Sequence, residues 1–298
     1  MLERPRAEPS LDVLRQIGEL KRVRSAGRDG SIATRLFASA WRRELAGEAD
    51  AAFATTAAAL AAASLGDIDV PTLSELGLAA GVAARVRHAA LDGLAERFEP
   101  ALRVRLARAL EAPEPHVVLP GFVERLTEQP RAGVTCPGRP RILFEPPENH
   151  AEHCLMVAVY GVLLAQRYGA DPAIVFLAGL AHHMHNARLP DSGFTGEALL
   201  GSDLALVVRN ATALAMDELD ASVRARVAAA REILVDAGTP EGRAFHAADA
   251  IDRVLQIEQH LRPGQVSMRT VLHDMALVHE GPVKRFQDDV LAEMGLAA

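Results

Sequence analysis

The chain has 298 residues, room for one large domain or two modest ones, with 49% hydrophobic and 24% charged residues. Aromatics are only 4% while Ala and Leu abound, which favours helices over sheets. The formal net charge of −7 argues against bulk binding to nucleic acid, and two cysteines, Cys136 and Cys154, exclude a disulfide framework and a paired-Cys metal motif.

The opening run MLERPRAEPSLDVLRQ lacks the apolar centre of a signal peptide, and the cysteines read as plain thiols, so a cytoplasmic protein is expected. Leu11, Leu14, Ile17 and Leu20 recur at near-helical spacing and predict a helix over 11–24. The run GRDGS breaks it, with Ser31 placed to cap the next helix. A long helical pattern follows from Ile32 to about Ser64, with Gly47 as its dividing point. Its most apolar part, AAFATTAAALAAASLG, is too short to span a bilayer and reads as a buried helix. Thr72-Leu73-Ser74-Glu75 fits a capping box and a fresh helix start at Thr72. Further helices are predicted at 79–97, 99–111 and 118–128. The basic runs KRVRSAGR and WRRE are interleaved with acids and read as a solvated face.

Prolines and glycines then crowd the stretch 129–149, which is expected to be a linker, with RILF as a short extended piece. Helices resume at 150–168, 172–186, 196–215, 220–237, 240–262 and 267–275, with one more near the C-terminus. The expectation is an all-α protein: a helical N-terminal region at 1–128, the linker, and a second helical domain at 150–298.

A metal ion needs several N or O donors converging from different helices. His150 and His153 lie three apart, on one face of a helix. The next apolar helix ends in His182, His183 and His185. Much later His246, Asp249 and Asp252 follow one another at i+3 steps. The strings EHCLMVAVYGVLLA, LAGLAHH and AADAIDR resemble the HD-domain superfamily of metal-dependent phosphohydrolases over about 150–262. The resemblance implies an HD-like helical bundle in which His153, His182 and Asp249 are metal ligands. His183 stands where that family has Asp, and an imidazole there suits Fe, Mn, Co, Ni or Zn better than Mg. A second set, His182 with His185, leaves His183 as an outer or substrate-facing group. No histidine lies between His185 and His246, which by the same resemblance favours one ion.

Asp191 and Glu197, just past the triplet, are the candidate catalytic acids or bases. Arg188 is the candidate phosphate ligand and His150 a candidate substrate-binding group. His246 is a weaker candidate. Asn186 occupies a position where related nucleotidases place an acid, and an amide cannot transfer a proton in that way. Asp252 is expected to pair with a basic neighbour at the surface. His273-Asp274 comes in the wrong order for the motif. The expected function is hydrolysis of a small phosphate ester, a nucleotide being one option, with no membrane and no nucleic acid as partner. The alternatives are an inactive HD-like binding or regulatory protein and an HD-like iron oxygenase. The Ala- and Leu-rich helix faces leave a homodimer open.

Overall fold

Small polar caps, prolines and glycines set where the helices start and stop. The computed structural model describes residues 9–96, 98–261, 267–274 and 276–296. The first eight residues, read for a leader, and residues 97, 262 and 275, where three helices are expected to end, lie outside them. Among the described residues there are fourteen α-helices and no strand.

Ser10 caps α1 (Leu11–Gly18), which tightens into a 3₁₀ turn at Glu19–Lys21. Ser31 Oγ accepts the Thr34 N–H at 3.1 Å and starts α2 (Ile32–Leu45) as expected. Gly47, at φ +71°, separates α2 from α3 (Ala51–Leu65), the buried Ala-rich helix. The next start differs from expectation. Asp69, not Thr72, is the cap of α4 (Val70–Glu75), and its carboxylate accepts the Thr72 N–H at 2.8 Å. Then come α5 (Ala80–Ala95), α6 (Pro100–Ala109) and α7 (Gly121–Glu128).

Stretch 129–149 folds back on itself. Val134 and Ile142 form an isolated antiparallel bridge, as do Pro130 and Asn149. The His150 N–H donates to the Gln129 carbonyl at 3.1 Å, so the two ends of the stretch are tied together. It delivers the chain to α8 (His150–Tyr168), which is buried continuously from His150 to Ala165. The remaining helices are α9 (Pro172–Ala181), α10 (Gly193–Leu200), α11 (Leu204–Met216), α12 (Ala221–Arg231), α13 (Pro240–Leu261) and α14 (Lys284–Glu293). Three predicted spans are corrected. The helix expected over 172–186 ends at Ala181, and a 3₁₀ turn, Met184–Ala187, follows the first two histidines. The span 196–215 is two helices, parted at Gly201 with φ +52°. The span 267–275 holds a π-type turn, Thr270–Asp274.

α8 is the central rod, with α2, α3, α7, α9 and α13 around it. Two glycines set how closely α9 approaches. A Cβ on Gly179 would stand 2.6 Å from Ala158 Cα, and one on Gly161 would stand 2.4 Å from Val175 Cγ1. Both halves of the chain enter one hydrophobic cluster. Trp41 meets Phe122 edge-on at 5.0 Å, and the Tyr160 hydroxyl donates to the Leu14 carbonyl at 2.8 Å. One stretch, Gly193–Met216, is long and apolar enough to cross a membrane, at a mean hydropathy of 1.3. The turn at Gly201 interrupts it.

Candidate metal centre

Helix starts aim the first ligands. At the head of α8, Asn149 Oδ1 accepts the Glu152 N–H and Glu152 Oε2 accepts the Asn149 N–H, both at 2.9 Å. Ser31 Oγ, from the N-terminal region, donates to Glu152 Oε1 at 2.6 Å. That turn holds His153 with its side chain fully buried. α9, drawn against α8 at Gly179, ends just before His182 and His183. α13 brings Asp249 and Asp252 from the other side.

Each of three imidazoles has its Nδ1 committed to an acceptor. His153 Nδ1 donates to Asp252 Oδ2 at 2.7 Å. His182 Nδ1 donates to the Gly179 carbonyl at 2.7 Å, and His183 Nδ1 to Asn186 Oδ1 at 2.8 Å. A neutral ring with its proton on Nδ1 presents a bare lone pair on Nε2. Yet His153 Nε2 lies 3.1 Å from His182 Nε2 and 3.3 Å from Asp249 Oδ1. His153 Nε2 therefore faces two acceptors with no proton to share while the rings are neutral. With bonds of about 2.1 Å, neighbouring donors on one ion stand about 3.0–3.4 Å apart and opposite ones about 4.2 Å. Ligand atoms of His153, His182 and His183 lie within 4.8 Å of one another, so His183 needs only a small shift to join. The three imidazoles form a group that could hold one metal ion, with the Asp249 carboxylate beside His153 as a further donor.

For His182, His183 and Asp249 the electrostatics favour the forms that can donate to a cation. Burial, reinforced by the neighbouring imidazoles, pushes His182 and His183 well below the usual histidine range. Burial alone would raise Asp249, but the His153 contact and Arg253 outweigh it and hold the carboxylate low. A second buried group of acceptors, Glu148, His153 and Asp252, lies beside the first. It already has a cation: Lys21 Nζ stands 2.5 Å from Glu148 and 2.6 Å from Asp252.

A cavity of about 570 Å³ opens over the centre. His182, His183 and Asp249 lie in its wall, with Asp191, Glu197 and His246. Arg131 and Arg253 supply its positive charge, while Val134, Leu143, Phe144 and Phe194 are among its apolar lining. Asp191 is fixed by two backbone donors, Ala132 N–H at 2.9 Å and Gly193 N–H at 2.8 Å. His150 is buried behind it, Nε2 at 3.6 Å from Asp191 Oδ2, and neither ring nitrogen has a hydrogen-bond partner. His246 Nε2 is likewise buried without one. His185 stands apart from the cluster of ligand atoms, its ring 5.4 Å from that of His183. Arg188 is not brought to the cavity. It is exposed and pairs with Glu218 at 3.2 Å.

Two readings of the basic and acidic residues change. Asp252 does pair with a basic residue, but in the interior, where it also orients His153. Lys21, taken as part of a solvated basic face, is only 4% exposed. Sequence reasoning also passed over Arg131, Arg253 and the orienting role of Asn186. The i+3 spacing of His183 and Asn186 was a usable signal for the last. No local pattern marks Lys21 or Arg131. No family model, curated protein or solved structure matches this chain.

Proposed function

We propose that the chain is a metal-dependent hydrolase of a phosphate ester, with one divalent transition ion held by His153, His182, His183 and Asp249. The observation that carries it is His153 Nε2 standing 3.1 Å from His182 Nε2 and 3.3 Å from Asp249 Oδ1, under a cavity with two guanidinium groups in its wall. When bound, such an ion supplies a Lewis acid for a phosphoryl oxygen and lowers the pKa of water.

The chain's own groups do the rest. Arg131 and Arg253 take the phosphate-binding role that Arg188 is placed too far to fill. Burial opposes the charge on Arg131, but Glu148, Asp191 and Asp249 outweigh it, so the guanidinium stays cationic. Asp191, held by two backbone N–H groups, is a fixed acceptor and the candidate base. Partial burial and the charge of Asp191 push Glu197 above the usual carboxyl range, which suits it to hand a proton to the leaving group. Apolar wall residues fit an organic moiety larger than phosphate alone. The resemblance to HD-domain phosphohydrolases agrees with this reading. So does a reducing cytosolic setting, with Cys136 and Cys154 both free thiols.

The test is elemental analysis of the purified protein, then a panel of phosphate mono- and diesters with Mn²⁺, Fe²⁺, Co²⁺, Ni²⁺ or Zn²⁺ added. Turnover that Asp249→Ala abolishes supports the proposal. A protein that holds metal but turns over no ester is a binding protein instead, and one that takes up no metal ends the proposal.

A further inference from the structure

The four ligands of the proposed centre all come from beyond residue 149, yet a side chain from the N-terminal region reaches the group behind one of them. We infer that Lys21 is a positioning residue of the metal centre, acting through Asp252 on His153. The inference rests on the metal-centre reading.

Lys21 sits in the 3₁₀ turn after α1, and packing decides where that turn goes. Arg15 forks onto Glu258 of α13, with Nε at 3.0 Å and a terminal nitrogen at 2.7 Å. The Leu14 carbonyl takes the Tyr160 hydroxyl of α8. Six residues after Arg15, Lys21 meets Asp252, six residues before Glu258, so α1 and its turn run antiparallel to α13. The Lys21 ammonium has three protons and three acceptors: Glu148 Oε1 at 2.5 Å, Asp252 Oδ1 at 2.6 Å and Gln256 Oε1 at 3.5 Å.

The consequence for the centre follows from charge and geometry. Asp252 uses one oxygen for Lys21 and the other for His153 Nδ1, 2.7 Å away. The ammonium thus fixes the carboxylate that fixes the ring, and the ring offers Nε2 to the ion. Without Lys21, two buried carboxylates, Glu148 and Asp252, face each other without the cation they share. Repulsion then drives them apart, and Asp252 swings away from the imidazole it orients. The N-terminal region is therefore a working part of the centre.

The experiment titrates Co²⁺ into the metal-stripped full chain, read by calorimetry and by the visible absorption of bound Co²⁺. Four proteins are compared: the unaltered chain, Lys21→Met, Asp252→Asn and the double variant. Lys21→Met is expected to weaken Co²⁺ binding about 10-fold or more and to alter the absorption band. The double variant is expected to bind no more weakly than the weaker single variant, because both changes break one relay. Circular dichroism and urea unfolding check the fold. If Lys21→Met does not fold, Lys21→Met with Glu148→Gln, which leaves one buried carboxylate fewer, takes its place. Unchanged affinity and spectrum in the folded variant overturn the role of Lys21, as do losses that multiply in the double variant. If the unaltered chain binds no Co²⁺, the centre itself falls, and this inference with it.

Discussion

His153 divides two buried groups of acceptors that differ in one respect. On its Nδ1 side, Asp252 and Glu148 close around the ammonium of Lys21. On its Nε2 side, His182 at 3.1 Å and Asp249 at 3.3 Å each turn an acceptor toward the same ring nitrogen, beside a cavity. Buried acceptors packed this tightly need positive charge, because desolvation removes the water that would otherwise separate them. On the Nδ1 side the chain supplies that charge itself, through Lys21. On the Nε2 side it presents a group of donors that could hold a cation from outside. The same imidazole thus joins a buried ion pair to a group of donors that could hold a metal ion.

The sharpest way to break this comparison is to remove a donor from the Nε2 side. Asp249→Ala and His182→Ala should each leave the purified protein without stoichiometric metal, with a loss of about 100-fold or more in affinity by competition with a chelator, and with the fold retained. Removing the internal cation acts on stability instead. Lys21→Met should cost about 3–5 kcal/mol in urea unfolding, since it leaves buried Asp252 without its ammonium and Glu148 with only Arg131, at 3.4 Å. A change below about 1 kcal/mol would show that the Nδ1 side does not depend on its ammonium.

Acid should separate the two sides in the metal-free protein. His182 and His183 are neutral in the folded chain well below their usual range, through burial first and then the neighbouring imidazoles. The unfolded chain takes up protons near pH 6.5, so stability is full above that value and falls as pH drops below it. The slope is about 1.4 kcal/mol per pH unit for each such group. Asp249 adds a loss of the same sign, but only once pH falls below the usual carboxylate range. The opposite sign holds for Lys21, raised by Asp252 and Glu148 over the effect of burial: its contribution is lost only in strong alkali. Urea midpoints from pH 7.5 to 5 measure the slope, and a flat profile would contradict the neutral buried imidazoles.

A smaller effect is expected at Asn186. Asn186→Ala removes the acceptor for His183 Nδ1 and should weaken metal binding about 10-fold, with little change in the circular dichroism spectrum. The smallest is Arg188→Ala, an exposed residue outside the cavity. It should alter stability by no more than about 0.5 kcal/mol and leave Co²⁺ affinity unchanged.

Much of this architecture was legible residue by residue. Ser31 and Gly47 act locally, through a cap and a positive φ, and both stop or start helices as their chemistry dictates. The close spacing of His182 and His183 marked them as candidate ligands, and with His153 they form a group that could hold a metal ion. The start at Asp69 was misread because Thr72 and Asp69 both qualify as caps, and only the backbone decides which side chain accepts. The end of α9 was overextended because no glycine or proline breaks the pattern between Ala181 and Asn186, whereas the chain turns after Ala181.

The sequence by itself determined an all-helical chain, the places where most helices break, and a set of histidines and aspartates with the chemistry to hold a metal. Those properties follow from local propensity, capping and side-chain type, which act over a few residues. Tertiary structure alone decided that Lys21 lies inside, that Asp252 orients His153, and that Arg131 and Arg253, not Arg188, enter the cavity. These depend on contacts between residues as many as 231 positions apart, as from Lys21 to Asp252, and no short-range pattern carries that information. The close approach of α8 and α9 at Gly179 and the packing of α1 on α13 create those contacts, and with them the charge balance of the site.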